Sequence, residues 1–263
     1  MQQLLNKNIV ITGASSGIGE QMALKVAERG GRPILVARSA EKLHTICQAI
    51  KRQTSVDCLY YQLDVGNLEE VKEVFQKILQ EVEHIDILVN NAGFGIYDAF
   101  YEANMDDIKR MFEVNVFGLM ACTQATLSSM LERNEGHIIN IASQAGKLAT
   151  PKSSGYSSTK HAVLGFTNSI RLELAQTNIH VSAVNPGPIE TNFFQTADKT
   201  GTYVKNAKKF MLKSDDVADK IIGLMIKPKR ELNLPMWMNI GSTIYNLFPT
   251  LSEKIAGNRF NMK

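Results

Sequence analysis

A chain of 263 residues, 44% hydrophobic and 21% charged, has the composition of a soluble globular protein and the length of one large domain or two small ones. Its formal charge of +3 is too small and too scattered for a nucleic-acid-binding footprint, so the basic clusters at 205–209 and 227–230 read as solvated surface. The opening MQQLLNKNIVITG has no basic segment followed by a long apolar run, and no apolar stretch reaches the ~18 residues of a span, so neither signal peptide nor transmembrane segment is expected.

The first predicted strand, Asn8–Thr12, runs directly into Thr12-Gly13-Ala14-Ser15-Ser16-Gly17-Ile18-Gly19. A helix follows over 17–29, with Ile18, Met22, Val26 and Ala27 on one stripe and Gly30-Gly31 stopping it. Glycines in such a loop let the backbone turn tightly and approach a pyrophosphate, which then rests on unpaired N–H groups at the helix N-terminus. The spacing is GxxxGxG rather than the general GxGxxG, and its strand–loop–helix setting points to a dinucleotide. The second predicted strand, Pro33–Ala37, ends at Arg38, near where an NAD site places an acid for the ribose 2′-hydroxyl. An acid would repel a 2′-phosphate and a guanidinium binds it, so Ala37-Arg38 favours NADPH over NADH.

Further strands are predicted at Asp57–Leu63, Asp86–Asn90, His137–Ser143 and His180–Asn185. An amphipathic helix is predicted over 68–82, with Val71, Val74, Phe75, Ile78 and Leu79 spaced at three and four. Continuous apolar strands separated by helices predict an α/β fold, a Rossmann-type doubly wound parallel sheet with helices on both faces. No linker or repeat interrupts residues 1–263, so a single domain is expected. The one long irregular stretch, from Pro186 to about Leu212, reads as a substrate loop over about 188–212. Cys47, Cys58 and Cys122 form no CxxC pair and read as free thiols, which fits a reducing cytoplasm. The five histidines show no HxxxH or HExxH spacing, so no metal is expected.

Tyr156-Ser157-Ser158-Thr159-Lys160 heads a helical stretch, and positions i and i+4 share a helix face. An ammonium near the phenol favours phenolate, which makes Tyr156 a better proton donor to a nascent alkoxide. Ser143 ends the preceding strand, Asn90-Asn91-Ala92-Gly93 ends the strand before that, and Pro186-Gly187 ends the one after. Strand C-termini are where open α/β sheets bind their ligands. Asn115 sits in the intervening helix.

Taken in order, these motifs resemble those of a classical short-chain dehydrogenase/reductase. The resemblance covers about residues 6–192: TGxxxGIG at Thr12–Gly19, Asp64-Val65, the NNAG turn at Asn90–Gly93, Asn115, Ser143, YxxxK at Tyr156–Lys160, and Pro186-Gly187 followed by Thr191. It implies an NADP(H)-dependent enzyme that interconverts a carbonyl group and a secondary alcohol. Tyr156 would be the general acid and base, and Lys160 would tune it and hold the nicotinamide ribose. Ser143 would polarise the substrate oxygen, and Asn115 would hold a water linking Lys160 to solvent. The loop residues Gly13, Ser15, Ser16, Gly17, Ile18 and Gly19 would cradle the pyrophosphate. Arg38 would take the 2′-phosphate, while Asp64 and Val65 flank the adenine above Asn91, Ala92 and Gly93. Pro186, Gly187, Ile189 and Thr191 would hold the carboxamide. A reductase of 3-oxoacyl groups on a carrier protein is the alternative enzyme. A non-catalytic NADPH sensor is the alternative class, disfavoured because Tyr156 and Lys160 are both present.

Phe94, Ile96, Tyr97, Leu148, Phe193 and Phe194 are expected around the pocket and suit a hydrophobic small-molecule substrate. The family commonly pairs its two long helices, here about 105–131 and 154–175, across a two-fold axis. Val114, Val116, Leu119, Phe166 and Leu174 are compatible with that, so a homodimer is expected. In the tail, about 231–263, Pro235 and Pro249 prevent one regular element, and the apolar spacing suggests helix on either side of Pro249. That stripe could pack on its own subunit, cover the partner's active-site mouth, or lie on a membrane. The membrane option is weakest from sequence, because Lys254, Arg259 and Lys263 are few and late. Packing on protein is the expectation, with the tail replacing a tetramer contact and helping to close the site.

Overall fold

The computed structural model describes residues 3–198 and 201–256. Strands β1 (Asn8–Thr12), β2 (Arg32–Ala37), β3 (Leu59–Gln62), β4 (Ile87–Asn90), β5 (Gly136–Ile141) and β6 (Ile179–Pro186) match the six predicted runs. Helices α1 (Gly17–Glu28), α2 (Ala40–Thr54) and α3 (Leu68–Val82) connect the first four strands. α4 (Met105–Phe112), a π-helical segment Glu113–Gly118 and α5 (Leu119–Arg133) form the next crossover, and α6 (Ser154–Glu173) the one after.

The sheet runs β3-β2-β1-β4-β5-β6 and gains a seventh parallel strand, β9 (Glu231–Leu234), beside β6. The order reverses at β1, so a crevice opens where the ends of β1 and β4 diverge. Both faces are covered, as the continuous apolar strands require. Ile9 and Ile11 of β1 join one buried cluster with Met22 and Val26 of α1. Val10 points the other way and joins Phe75 of α3 and Cys122 of α5. α3 begins where Asn67 accepts from the Glu70 amide and donates back to the Glu70 carboxylate, a reciprocal cap that fixes its first turn.

The stretch after Pro186 is more ordered than its sequence suggested. Two short parallel strands, β7 (Ile189–Glu190) and β8 (Leu212–Lys213), pair at its base. Between them lie α7 (Phe193–Ala197), α8 (Thr202–Ala207) and a 3-10 turn, Lys208–Phe210. α9 (Ser214–Ile226) then packs against α1. The tail forms α10 (Met236–Leu247) and α11 (Pro249–Ala256), helix on either side of Pro249 as expected. Residues 257–263, including Arg259 and Lys263, lie outside the described residues.

Three expectations change. Cys47 on α2 and Cys58 just before β3 are joined as a disulfide, because the turn after α2 folds the chain back and sets the two Cα atoms 5.2 Å apart. Cys122 is the free thiol, buried and pushed up to about 12 by burial. Cysteine usage therefore no longer argues for a reducing compartment. Val116, Leu119 and Leu174 are buried within the subunit, so they serve its own core; Met105, Phe117, Leu131 and Leu172 are the exposed large apolar residues on those helices. The tail stripe does not pack on its own subunit: Trp237, Ile240, Ile244, Leu247, Leu251 and Ile255 each leave more than half of their surface exposed. The continuous run 105–133 is long and apolar enough to cross a membrane by composition alone, yet nearly half of its apolar window is buried in the subunit.

Candidate active site

Along the C-terminal ends of β1, β2, β4, β5 and β6 lies one cleft of about 680 Å³. Its floor is the loop between β1 and α1. Gly13 and Gly17 have φ of +66° and +60°, a region side chains avoid. A Cβ on Gly13 would also stand 2.8 Å from the Ala92 Cα. The chain can pass so close to the NNAG turn only without a side chain there. Thr12 and Asn91 tie the two turns together. The Thr12 hydroxyl accepts from the Asn91 and Ala92 amides at 3.0 Å, and the Asn91 amide group donates to the Thr12 carbonyl at 2.9 Å.

Ser15, Ser16, Gly17 and Ile18 line the cleft at the head of α1, where Ser16 makes no side-chain capping bond. The first-turn N–H groups of a twelve-residue helix are thus available to an anion. Gly19 does not line the cleft. It is a packing glycine, since a Cβ there would meet the Gly13 carbonyl oxygen at 2.4 Å. Arg38 is exposed at the far end and has no ion-pair partner among the described residues. Lys42, which the sequence reading missed, lines the same end one turn into α2. Its signal was the four-residue spacing from Arg38. Asp64 and Val65 form the opposite wall, with Asp64 paired to Arg110 and accepting from the Gly66 amide at 3.0 Å.

At the other end the cleft holds Ser143, Tyr156 and Lys160. Ser143 ends the stretch after β5 and caps a 3-10 turn, Gln144–Gly146, by accepting from the Ala145 amide at 3.0 Å. Lys160, one turn after Tyr156 on α6, donates to the Ile141 carbonyl at 2.8 Å, and its Nζ lies 5.8 Å from the Tyr156 ring centre. Burial pushes the Lys160 ammonium down to about 8. Burial also raises the Tyr156 phenol, and a hydrogen bond with Ser143 pulls the other way. The expected depression of Tyr156 is not found here: loss of water outweighs the pull of Ser143.

Asn115 does not line the cleft. It sits behind, in the π-helical segment, clamping Phe94 in both directions: its Oδ1 accepts from the Phe94 amide at 3.0 Å and its Nδ2 donates to the Phe94 carbonyl at 2.8 Å. The Nδ2 also reaches the Thr159 hydroxyl at 3.1 Å. Gly93 lies between Asn115 and Lys160, and a Cβ there would meet Asn115 Oδ1 at 3.0 Å. The remaining expected residues, Pro186, Gly187, Ile189 and Thr191, line the cleft beside Ser143.

The wall beyond Tyr156 is apolar. Phe94, Tyr97, Leu148, Phe193 and Phe194 line it as expected, and Ile96 does not. The rings of Tyr97 and Phe193 sit 5.9 and 5.6 Å from that of Tyr156. Tyr203 of α8 and Met238 of α10 complete the wall; they were invisible in sequence because only tertiary folding brings them there. Behind this wall, Lys147 reaches from the turn after Ser143 to Glu231 at 2.5 Å, Asn233 at 3.0 Å and Asn239 at 3.1 Å, joining the turn to β9 and α10.

The residues fit a phosphorylated dinucleotide. A glycine cradle that a Cβ would fill, free helix N–H groups and two cations suit its phosphates, and the cleft continues to the Tyr156 phenol. No group of three or more metal-ligating side chains occurs among the described residues.

The family model described as short chain dehydrogenase matches residues 7–201. The chain is 35% identical over 229 residues to the NADP-dependent 3-hydroxy acid dehydrogenase of Schizosaccharomyces pombe, covering 84% of this chain and 88% of that one. Among solved structures, an alcohol dehydrogenase from the archaeon Thermococcus sibiricus, complexed with 5-hydroxy-NADP, superposes with a TM-score of 0.79 at 30% identity, covering 87% of this chain and 95% of that one. The closed form of a serine dehydrogenase complexed with NADP+ superposes with a TM-score of 0.77 at 31% identity, covering 86% and 93%.

Proposed function

The chain belongs to the short-chain dehydrogenase family, and on that premise we propose that it is an NADPH-dependent oxidoreductase interconverting an apolar carbonyl compound and its secondary alcohol. One observation carries the reading: a single cleft joins the glycine loop and the Arg38–Lys42 cations to Ser143, Tyr156 and Lys160. The NADP named with the relative and the two neighbours supports the cofactor.

NADPH, when bound, supplies a hydride to the carbonyl carbon. The chain does the rest. Gly13, Ser15, Ser16, Gly17 and Ile18 hold the pyrophosphate, Arg38 and Lys42 the 2′-phosphate. Asp64 and Val65 flank the adenine above Asn91, Ala92 and Gly93. Pro186, Gly187, Ile189 and Thr191 hold the carboxamide. Ser143 donates to the substrate oxygen and fixes its position. Tyr156 gives that oxygen its proton, as a positioned general acid. Lys160, already poorly solvated, gives up a proton readily to the phenolate left behind, and it binds the nicotinamide ribose. Asn115 holds the Phe94 turn and, as in the family, a water between Lys160 and solvent.

The wall of Tyr97, Leu148, Phe193, Phe194, Tyr203 and Met238 supports an apolar substrate. NADPH oxidation is expected with apolar ketones or aldehydes and not with phosphorylated sugars. Tight NADPH binding with no turnover on any carbonyl would instead support a sensor, and a strong preference for 3-oxoacyl thioesters on a carrier would support the alternative enzyme. We propose a homodimer formed through the α4–α5 run and α6, where Phe117 and Leu172 are exposed. Light scattering at micromolar concentration is expected to give twice the chain mass, and a monomer would refute it.

A further inference from the structure

The fold leaves an apolar face uncovered at the cleft mouth. Trp237, Ile240, Ile244 and Leu247 recur at helical spacing along α10, and Leu251 and Ile255 do so along α11, each more than half exposed. α10 carries no Asp, Glu, Lys or Arg. Phe210 extends the stripe, its ring centre 5.9 Å from that of Trp237. That contact also brings in the residues just before it. Lys205 on α8 and Lys208 and Lys209 in the following turn are exposed and have no ion-pair partner among the described residues. Across 201–213 and 235–256 the charged side chains are five lysines and one acid, Glu253, which is hydrogen-bonded to Tyr245. The same two segments border the active site, through Tyr203 of α8 and Met238 of α10.

We propose that α10, α11 and the Lys205–Phe210 segment dock on an anionic lipid bilayer, setting the cleft mouth against the membrane so that apolar substrates enter from it. An uncharged helix face with Trp, Ile and Leu, flanked by lysines, is the composition of helices that lie in the interfacial plane. Sequence alone offered only the late cations Lys254, Arg259 and Lys263. The structure supplies Lys205, Lys208 and Lys209 from the substrate loop. Charge also argues against a second copy as the occupant. Against Glu253 and Asp198, which accepts from the Val204 amide at the head of α8, a two-fold contact would set the same five lysines of both copies around one boundary. An anionic surface complements them. The route of substrate entry rests on the proposed function; the docking does not.

The test uses the full chain and vesicles of phosphatidylcholine with or without phosphatidylglycerol. Trp237 is the only tryptophan in the sequence, so its emission reports this face directly. A blue shift and co-sedimentation are expected with phosphatidylglycerol vesicles and should weaken as salt is raised. Lys208→Glu with Lys209→Glu is expected to weaken that binding by about tenfold or more. Ile244→Glu with Leu247→Glu is expected to abolish it. Both variants should keep the wild-type melting temperature and turnover on a water-soluble carbonyl compound; if the second does not fold, the lysine variant decides. Equal binding to phosphatidylcholine alone, or no binding to either vesicle, overturns the proposal. So does a blue shift that follows protein concentration without vesicles and accompanies a rise in mass, which would assign the face to a second copy.

Discussion

Replacing Tyr156 with phenylalanine is expected to lower turnover by about 10²–10⁴-fold, the usual range for losing a positioned general acid, while NADPH affinity changes little. The ring stays, so its contacts with Tyr97 and Phe193 and its packing over Gly95 survive. What goes is the proton, together with the hydrogen bond to Ser143. A structural role for the ring would leave the rate nearly intact. The nucleotide end of the cleft, at Gly13–Ile18 and Arg38, does not touch the substitution. Retention of near-full activity on a good substrate would falsify the assignment of Tyr156 as the acid, whatever the cofactor.

The second large effect is expected at the other end of the cleft. Ala37→Asp with Arg38→Leu should turn the preference from NADPH toward NADH. Ala37 and Arg38 both line the cleft, and Arg38 has no ion-pair partner among the described residues to divert it from a 2′-phosphate. Each lost charge-assisted hydrogen bond is worth about 1.5–3 kcal/mol, so the ratio of affinities should fall roughly tenfold or more. The new carboxylate adds repulsion to the loss. Lys42 remains in this variant, so a further Lys42→Ala change should deepen the fall. Titrations of both nucleotides against the wild-type chain decide the premise first: equal affinities for NADH and NADPH would sink it.

Most of the fold up to Thr191 was legible because it is encoded locally. The β1–α1 loop is specified by its glycines, and the 68–82 helix was read from the Val71, Val74, Phe75, Ile78 and Leu79 spacing, all of which lies within it; the Asn67 cap just before it fixes the same start. The site was legible for a related reason: Ser143, Tyr156 and the NNAG turn sit at strand ends or at a helix head, where the fold itself converges. What was not legible depends on distant segments meeting. Cys47 and Cys58 look unpaired until α2 turns back toward β3. Tyr203 and Met238 reach the cleft only through α8 and α10. The state of the Tyr156 phenol depends on how much water the wall excludes, a quantity that spacing does not carry. Gly19 was read as part of the phosphate cradle, yet it lies one layer back against the Gly13 carbonyl, and Asn115 lies behind the cleft wall, bonded to both backbone groups of Phe94.

The bond from Lys147 to Glu231 has a consequence for how such a chain can be recombined. It fastens the turn that carries Ser143 to the strand from which the tail departs, and Asn233 and Asn239 grip the same ammonium. Lys147 and Glu231 are mostly shielded from water, with 17% and 24% of their side-chain surface exposed. A buried cation stripped of its acid is strongly destabilising. The segment from Glu231 onward is therefore not an interchangeable module. A chimera that takes its tail from a relative without an acid at this register would leave Lys147 stranded beside the active site, and the damage would surface at Ser143, on the far side of the splice.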